Sequence, residues 1–117
     1  MPNLETSILQ RIRLILGGIP GLKLFRNNVG KLADRFGRWV IFGLCPGSSD
    51  LIGWRSVIVT PEMVGRQLAV FVAIEVKAPG GRRAPDQKAF IAAVQQAGGI
   101  AGFADSDYAA VEIMNAH

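Results

Sequence analysis

The sequence predicts an α/β fold, a central mixed β-sheet flanked by helices, and three stretches carry that expectation. Residues 4–16 set Ile8, Leu9, Ile12, Ile15 and Leu16 at helical spacing and stop at the Gly17-Gly18 pair. Residues 68–77 form an uncharged apolar run that ends in Glu75 and Lys77. Strand alternation sets these two charges on one face with Phe71 and Ala73, and Val72, Ile74 and Val76 on the other. Pro85 fits the first position of a second helix running to about Ala97, halted by Gly98-Gly99. A run that is apolar on both faces belongs inside a covered sheet, where a carboxylate and an ammonium are costly.

Taken in order, Asn3 is the N-cap of the first helix. Residues 22–27 read as a short strand and residues 28–30 as a turn. Trp39–Phe42 has strand character, and LCPGSS after it is a loop. Residues 50–59 read as a strand beginning on Asp50. Residues 60–67, with Pro61 and Gly65, return the chain antiparallel into residues 68–77. APGGRRAP is a loop. The second helix turns Gln87, Phe90 or Ile91, Val94 and Gly98 inward, with Gln87 heading the apolar face. Residues 100–104 form a last short strand, and Ser106 caps a final helix. The expected order is α-β-β-β-α-β-α, in one domain spanning residues 1–117 without repeats or a linker.

With 117 residues, half of them hydrophobic, the chain can bury one core without staples. No apolar run reaches membrane-spanning length, and MPNLETSILQRIR lacks a signal-peptide pattern. The single cysteine, Cys45, rules out an internal disulfide or a cysteine zinc cage and suits the cytoplasm. It is expected to be a half-buried loop residue. The lone histidine is His117, which sets aside Ser-His-Asp, Cys-His and histidine-ligated metal chemistry. The net charge is +4. Lys31, Arg35 and Arg38 follow Arg26 in one segment, and Arg82, Arg83 and Lys88 follow the Glu-x-Lys strand, an arrangement suited to a polyanion. Such charges are equally read as ordinary solvated surface.

On its own, Glu-x-Lys reads as an internal ion pair or a strand end reaching water. Further polar residues change the balance. Glu5, Asp50, Glu75 with Lys77, and Gln87 stand where apolar residues are expected or at the mouth of the sheet. Asp50 starts one strand and Glu75 ends its antiparallel neighbour, so chain reversal brings both carboxylates to one sheet edge. Carboxylates with a backbone carbonyl suit Mg²⁺, which often bridges to phosphate. Lys77 would orient or deprotonate an attacking water, or donate to the scissile phosphate. Glu5 heads the stripe of the first helix and either complements its dipole or faces the site; the sequence leaves both open.

These residues resemble the PD-(D/E)xK nuclease superfamily, and in particular the VRR-NUC (virus-type replication-repair nuclease) domain. The matching stretches are RNNVG (26–30), GSSDLIGW (47–54), FVAIEVKAPGGR (71–82) and PDQKAF (85–90). The resemblance implies a restriction-endonuclease-like fold, with metal ligation by Asp50, Glu75 and the carbonyl of Val76. It also implies that Glu5 completes the site, that Lys77 is the catalytic amine and that Gln87 faces them from the helix. The implied activity is Mg²⁺- or Mn²⁺-dependent endonucleolytic cleavage of DNA. Stand-alone relatives suggest a homodimer acting on branched DNA such as four-way (Holliday) junctions. Two positions depart from the pattern. Ser49 stands where Pro is frequent, and Ala84 stands where a capping Ser is common, forfeiting a cap of ~1 kcal/mol.

DNA contacts are expected from Arg26, Asn27, Lys31, Arg35, Arg38, Arg82, Arg83 and Lys88, with a role in the local turn the alternative for Arg26 and Asn27. Trp39 and Trp54 are read as base-stacking or as core or dimer packing. Ser48 and Ser49 have no base beside them and read as turn formers or phosphate donors. The rival readings are a non-catalytic nucleic-acid-binding module, a nuclease subunit of a larger replication or repair complex, and a structural protein with an internal Glu75–Lys77 pair.

Overall fold

The computed structural model describes residues 3–116, so His117 lies outside the described residues. The fold is mixed α/β. In order it comprises α1 (Leu4–Leu16), β1 (Leu22–Arg26), β2 (Gly30–Ala33), β3 (Trp39–Phe42), β4 (Leu51–Arg55), β5 (Val72–Val76), α2 (Pro85–Gln96), β6 (Ile100–Ala104) and α3 (Asp107–Asn115). Five strands precede α2 where the sequence suggested three. Among the described residues the strands pair two by two, in three small sheets rather than one central sheet. The chain forms two compact units, one ending at Arg55 and the other beginning at Ser56. No helix among the described residues is long and apolar enough to cross a membrane.

In the first unit, Asn3 Oδ1 accepts the Thr6 N–H at 2.8 Å and starts α1. The stripe expected to be buried is not: Ile8, Ile12 and Ile15 are exposed, and only Leu9 and Leu16 are half-buried. Helical periodicity identifies an apolar face, but burial needs a partner element, and among the described residues no strand of this unit packs extensively on α1. β1 and β4 pair antiparallel from Leu22↔Arg55 to Arg26↔Leu51. On one face of this ladder the Phe25 and Trp54 rings lie 5.5 Å apart, so Trp54 is a packing residue. The strand expected over residues 50–59 ends at Arg55 because β1, its partner, is only five residues long.

β2 and β3 form an antiparallel hairpin from Gly30↔Phe42 to Ala33↔Trp39. Gly30 therefore opens a strand where a turn was expected, and a Cβ there would strike the Phe42 ring. The chain reverses over residues 34–38, where Gly37 supplies the left-handed residue with φ 78°. Asp34 ties the turn together. Its Oδ1 accepts the N–H groups of Phe36 at 2.8 Å and Arg38 at 2.9 Å, and its Oδ2 accepts Arg38 Nε at 3.0 Å.

The Arg38 N–H, first among the causes, holds the Asp34 carboxyl below the ordinary carboxylate range. Partial desolvation opposes this, while the Phe36 N–H and the Arg38 guanidinium reinforce it. A carboxyl depressed on folding stabilises above its unfolded pKa and loses that contribution as pH falls through the folded value. Amide hydrogen exchange at Phe36 and Arg38 is therefore expected to lose protection on acidification below the ordinary carboxylate range. Asp34→Ala should show weak protection and no such pH dependence. Exchange that is equally slow in the variant would remove Asp34 as the clasp.

In the second unit β5 and β6 pair in parallel, from Val72↔Ile100 to Val76↔Ala104, joined through α2. Ile91 and Val94 of α2 meet Ala101 and Ala104 of β6 to form the core, and α3 also packs on β6. Val94 is 1% exposed, and full burial of such a side chain contributes about 1.5–3 kcal/mol. The inward position left open between Phe90 and Ile91 belongs to Ile91, since Phe90 is 40% exposed. β5 begins at Val72 rather than residue 68, matching the five residues of β6. Val72 and Val76 are exposed, so β5 is not covered on both faces as expected.

Candidate active site

β5 carries Glu75, Lys77 follows its last residue, and the start of α2 faces Glu75. Glu75 Oε1 accepts a hydrogen bond from Gln87 Nε2 at 2.6 Å. Lys77 Nζ stands 3.8 Å from the same oxygen, too far for a hydrogen bond, so its donors remain for another acceptor. The Glu75 and Lys77 side chains are 37% and 22% exposed, which places them at a mouth rather than in the core.

Gln87 is oriented from its other end. Its Oε1 accepts the Ala84 N–H at 3.0 Å, the reach-back half of a capping box. Ala84 has no side-chain oxygen to form the other half, as its identity implied. With its oxygen fixed on the helix start, the amide must present its NH₂ to Glu75. Glu75, Gln87 and Asp86 line a cleft of about 470 Å³, together with Ala73, Phe90 and Ile91. Asp86 went unnoticed in the sequence because an acid in a helix's first turn is ordinary. Its Oδ1 accepts the Gln87 N–H at 2.9 Å.

The strand register also decides where Val76 points. Ile100 N–H donates to Phe71 O, and Lys77 N–H donates to Ala104 O, both at 2.9 Å. Odd-numbered residues of β5 therefore turn their backbone groups toward β6. The Val76 carbonyl turns to the opposite edge, next to the Glu75 side chain in sequence.

The first unit holds Asp50 at the entrance to β4. Its side chain is 67% exposed, and its Oδ1 lies 3.4 Å from Arg26 Nη1. Asn27 fastens the loop that delivers it. Asn27 Nδ2 donates to Ser48 Oγ at 2.8 Å and Ser49 O at 2.9 Å, and Asn27 Oδ1 accepts the Leu44 N–H at 2.9 Å. The Asn27 N–H donates to Asp50 O at 2.8 Å. These bonds make Asn27 a positioning residue for the loop. Ser48 is a turn former, donating to Cys45 O at 2.7 Å. Cys45 itself is exposed rather than half-buried. Glu5 is exposed in the first turn of α1.

Thus Glu75, Lys77 and Gln87 come together in the second unit, while Asp50 and Glu5 belong to the first. Among the described residues no three His, Cys, Asp or Glu side chains gather into a metal-ligating group. Lys31, Arg35 and Arg38 belong to the exposed hairpin, and Arg82, Arg83 and Lys88 are exposed in the second unit. The Arg83 guanidinium lies 4.5 Å from the centre of the Phe103 ring, and Phe103 is the register partner of Glu75.

The fold is mixed α/β, with an acid and an amine two residues apart at the end of β5 and a helix-borne amide bonded to the acid. The family model of the VRR-NUC domain matches residues 33–108, most of the chain, and the protein belongs to that family. The match includes Asp50, Glu75, Lys77 and Gln87 and leaves Glu5 and Arg26 outside. Membership makes the protein a nuclease-type hydrolase with DNA as its class of substrate. No curated protein and no solved structure matches the chain.

Proposed function

We propose that residues 1–117 act as one domain, a Mg²⁺- or Mn²⁺-dependent endonuclease that cuts branched DNA such as four-way junctions as a homodimer. The observation carrying this reading is the Glu75–Gln87 pair lining one cleft, with a 2.6 Å bond fixing the carboxylate and Lys77 Nζ 3.8 Å from the same carboxylate oxygen. The donors fit a hard cation, since Glu75 and the Val76 carbonyl supply oxygen ligands from adjacent residues of one strand. Glu75 Oε1 is held by Gln87, which leaves Oε2 for ligation. Asp50 and Glu5 are assigned as further acids on the sequence resemblance alone. A bound cation would supply charge stabilisation at the scissile phosphate and a more acidic water.

The chain's own residues do the rest. Gln87 holds the Glu75 carboxylate in one orientation, as outer hydrogen bonds commonly do for ligands. Lys77 donates to a non-bridging oxygen of the phosphate or orients the attacking water. Arg82, Arg83 and Lys88 take up backbone phosphates near the cleft. One site cuts one strand, so symmetric cutting of a junction requires two copies. The lone Cys45 suits the cytoplasm as the place of action.

The test is to incubate the protein with a four-way junction and with linear duplex, each with Mg²⁺ or Mn²⁺, and to measure its mass by light scattering. Paired nicks in the junction, dependent on the metal, are expected from a dimer. No metal-dependent cleavage of either DNA would sink the enzyme assignment, and equal cutting of both would remove the preference for branches.

A further inference from the structure

The β2–β3 hairpin is a ribbon that its own unit leaves open, and its strands pack chiefly on each other. Leu32, Phe36, Trp39 and Ile41 are each more than 60% exposed. Cations flank the two exposed rings, Phe36 and Trp39, without burying them. Lys31 Nζ lies 4.9 Å above Trp39, and the guanidiniums of Arg35 and Arg38 lie 4.9 Å and 5.1 Å from the Phe36 ring centre. The only acid of the hairpin, Asp34, is engaged by the turn and by Arg38 Nε. The surface therefore offers aromatic faces and positive charge and no free carboxylate.

That chemistry fits DNA better than a second copy of the chain. Two like hairpins face to face would oppose Lys31, Arg35 and Arg38 to themselves, whereas a polyanion complements them. A two-stranded ribbon fits the major groove, and an exposed ring stacks on bases that lack a neighbour. We propose that this hairpin is the DNA-docking element, with Phe36 at its tip stacking on a base exposed at a branch point while Lys31, Arg35 and Arg38 hold the flanking phosphates. The proposal rests on the protein being a DNA nuclease and names the feature that selects branched substrate. The turn clasped by Asp34 holds the tip in place before binding, which lowers the ordering cost.

Binding is measured by fluorescence anisotropy in a chelator, so that nothing is cut, on a four-way junction and on duplex of the same sequence. Phe36→Ala is expected to weaken junction binding about tenfold, the loss of one base–aromatic stack, with duplex binding changed less than about twofold. Phe36→Trp should bind the junction as the wild type does. Lys31→Gln and Arg35→Gln should weaken both DNAs alike and flatten the salt dependence. Phe36 is exposed, so circular dichroism should show an unaltered fold.

Equal junction binding by Phe36→Ala and wild type would overturn the proposal. So would conversion of a dimer to a monomer by Phe36→Ala, which would make the hairpin an interface between copies. Cleavage is scored separately. A wild type that never cuts but shows the Phe36 effect loses only the nuclease assignment. A Phe36→Ala protein that cuts and binds junctions normally loses only the hairpin's role.

Discussion

Glu75→Gln and Lys77→Met are each expected to lower DNA cleavage by about 10²–10⁴-fold while the protein keeps its fold. Geometry explains both halves of that outcome. Both side chains are partly exposed at the end of β5, and of the two Glu75 lines the cleft, whereas stability rests on the buried Ile91, Val94, Ala101 and Ala104. A partly exposed ion pair at 3.8 Å contributes about 0–1 kcal/mol, so its loss barely moves the melting temperature. Gln87→Leu should act more mildly, since Gln87 orients the carboxylate without reacting. A roughly 10–100-fold rise in the Mn²⁺ concentration needed for activity is expected, with the rate at saturating metal changed less. Single-turnover cleavage, Mn²⁺ titration and thermal melting together check these statements. Full activity in both Glu75→Gln and Lys77→Met would place the chemistry elsewhere. Loss of folding in both would instead support a purely structural pair.

The second large effect falls on stability. Gly53 sits opposite Leu24 in the β1–β4 ladder, and a Cβ at that position would run into the Lys23 carbonyl and the Leu24 Cα. Both obstacles are backbone, so no side-chain rotation relieves the clash and the strands must separate. Gly53→Ala is expected to destabilise the first unit by about 3 kcal/mol, the upper range for overpacking. Gly18→Ala is the control: its Cβ would meet only the Ile15 carbonyl at 3.6 Å, an ordinary contact. Denaturant unfolding followed by Trp54 fluorescence would measure both. An unchanged midpoint for Gly53→Ala would mean that the ladder does not form with this register. The clash bears on function as well, because Leu51 pairs with Arg26 at the end of the ladder where Asp50 enters.

Much of the second unit was legible in the sequence. Pro85 and Gly98-Gly99 bracket α2 because proline starts helices and glycine ends them for reasons internal to the chain. Gln87 and Val94 share one face of a helix by periodicity alone, and Glu75 and Lys77 share one face of a strand. Strand extent was less legible. Residues 56–59 and 68–71 are as apolar as the strands they adjoin, yet they lie outside them, because a ladder extends only as far as its partner. The hairpin's first strand was missed for the converse reason. GKLA has little strand character by itself and becomes β2 through pairing with Trp39–Phe42. The stripe of α1 shows the same limit, since an apolar face does not specify what covers it.

Residue types and spacings indicated the class of fold, resemblance of short motifs indicated the family, and the two together singled out the acid, amine and amide that meet at the end of β5. These depend on chain-local rules: helix and strand periods, glycine and proline backbone limits, and the order of short motifs. Tertiary structure decided which strands pair, that Asn27 clasps the loop before Asp50, and that the Gln87 amide turns its NH₂ toward Glu75. Those outcomes depend on hydrogen-bond partners far apart in the chain, whose meeting no local period encodes.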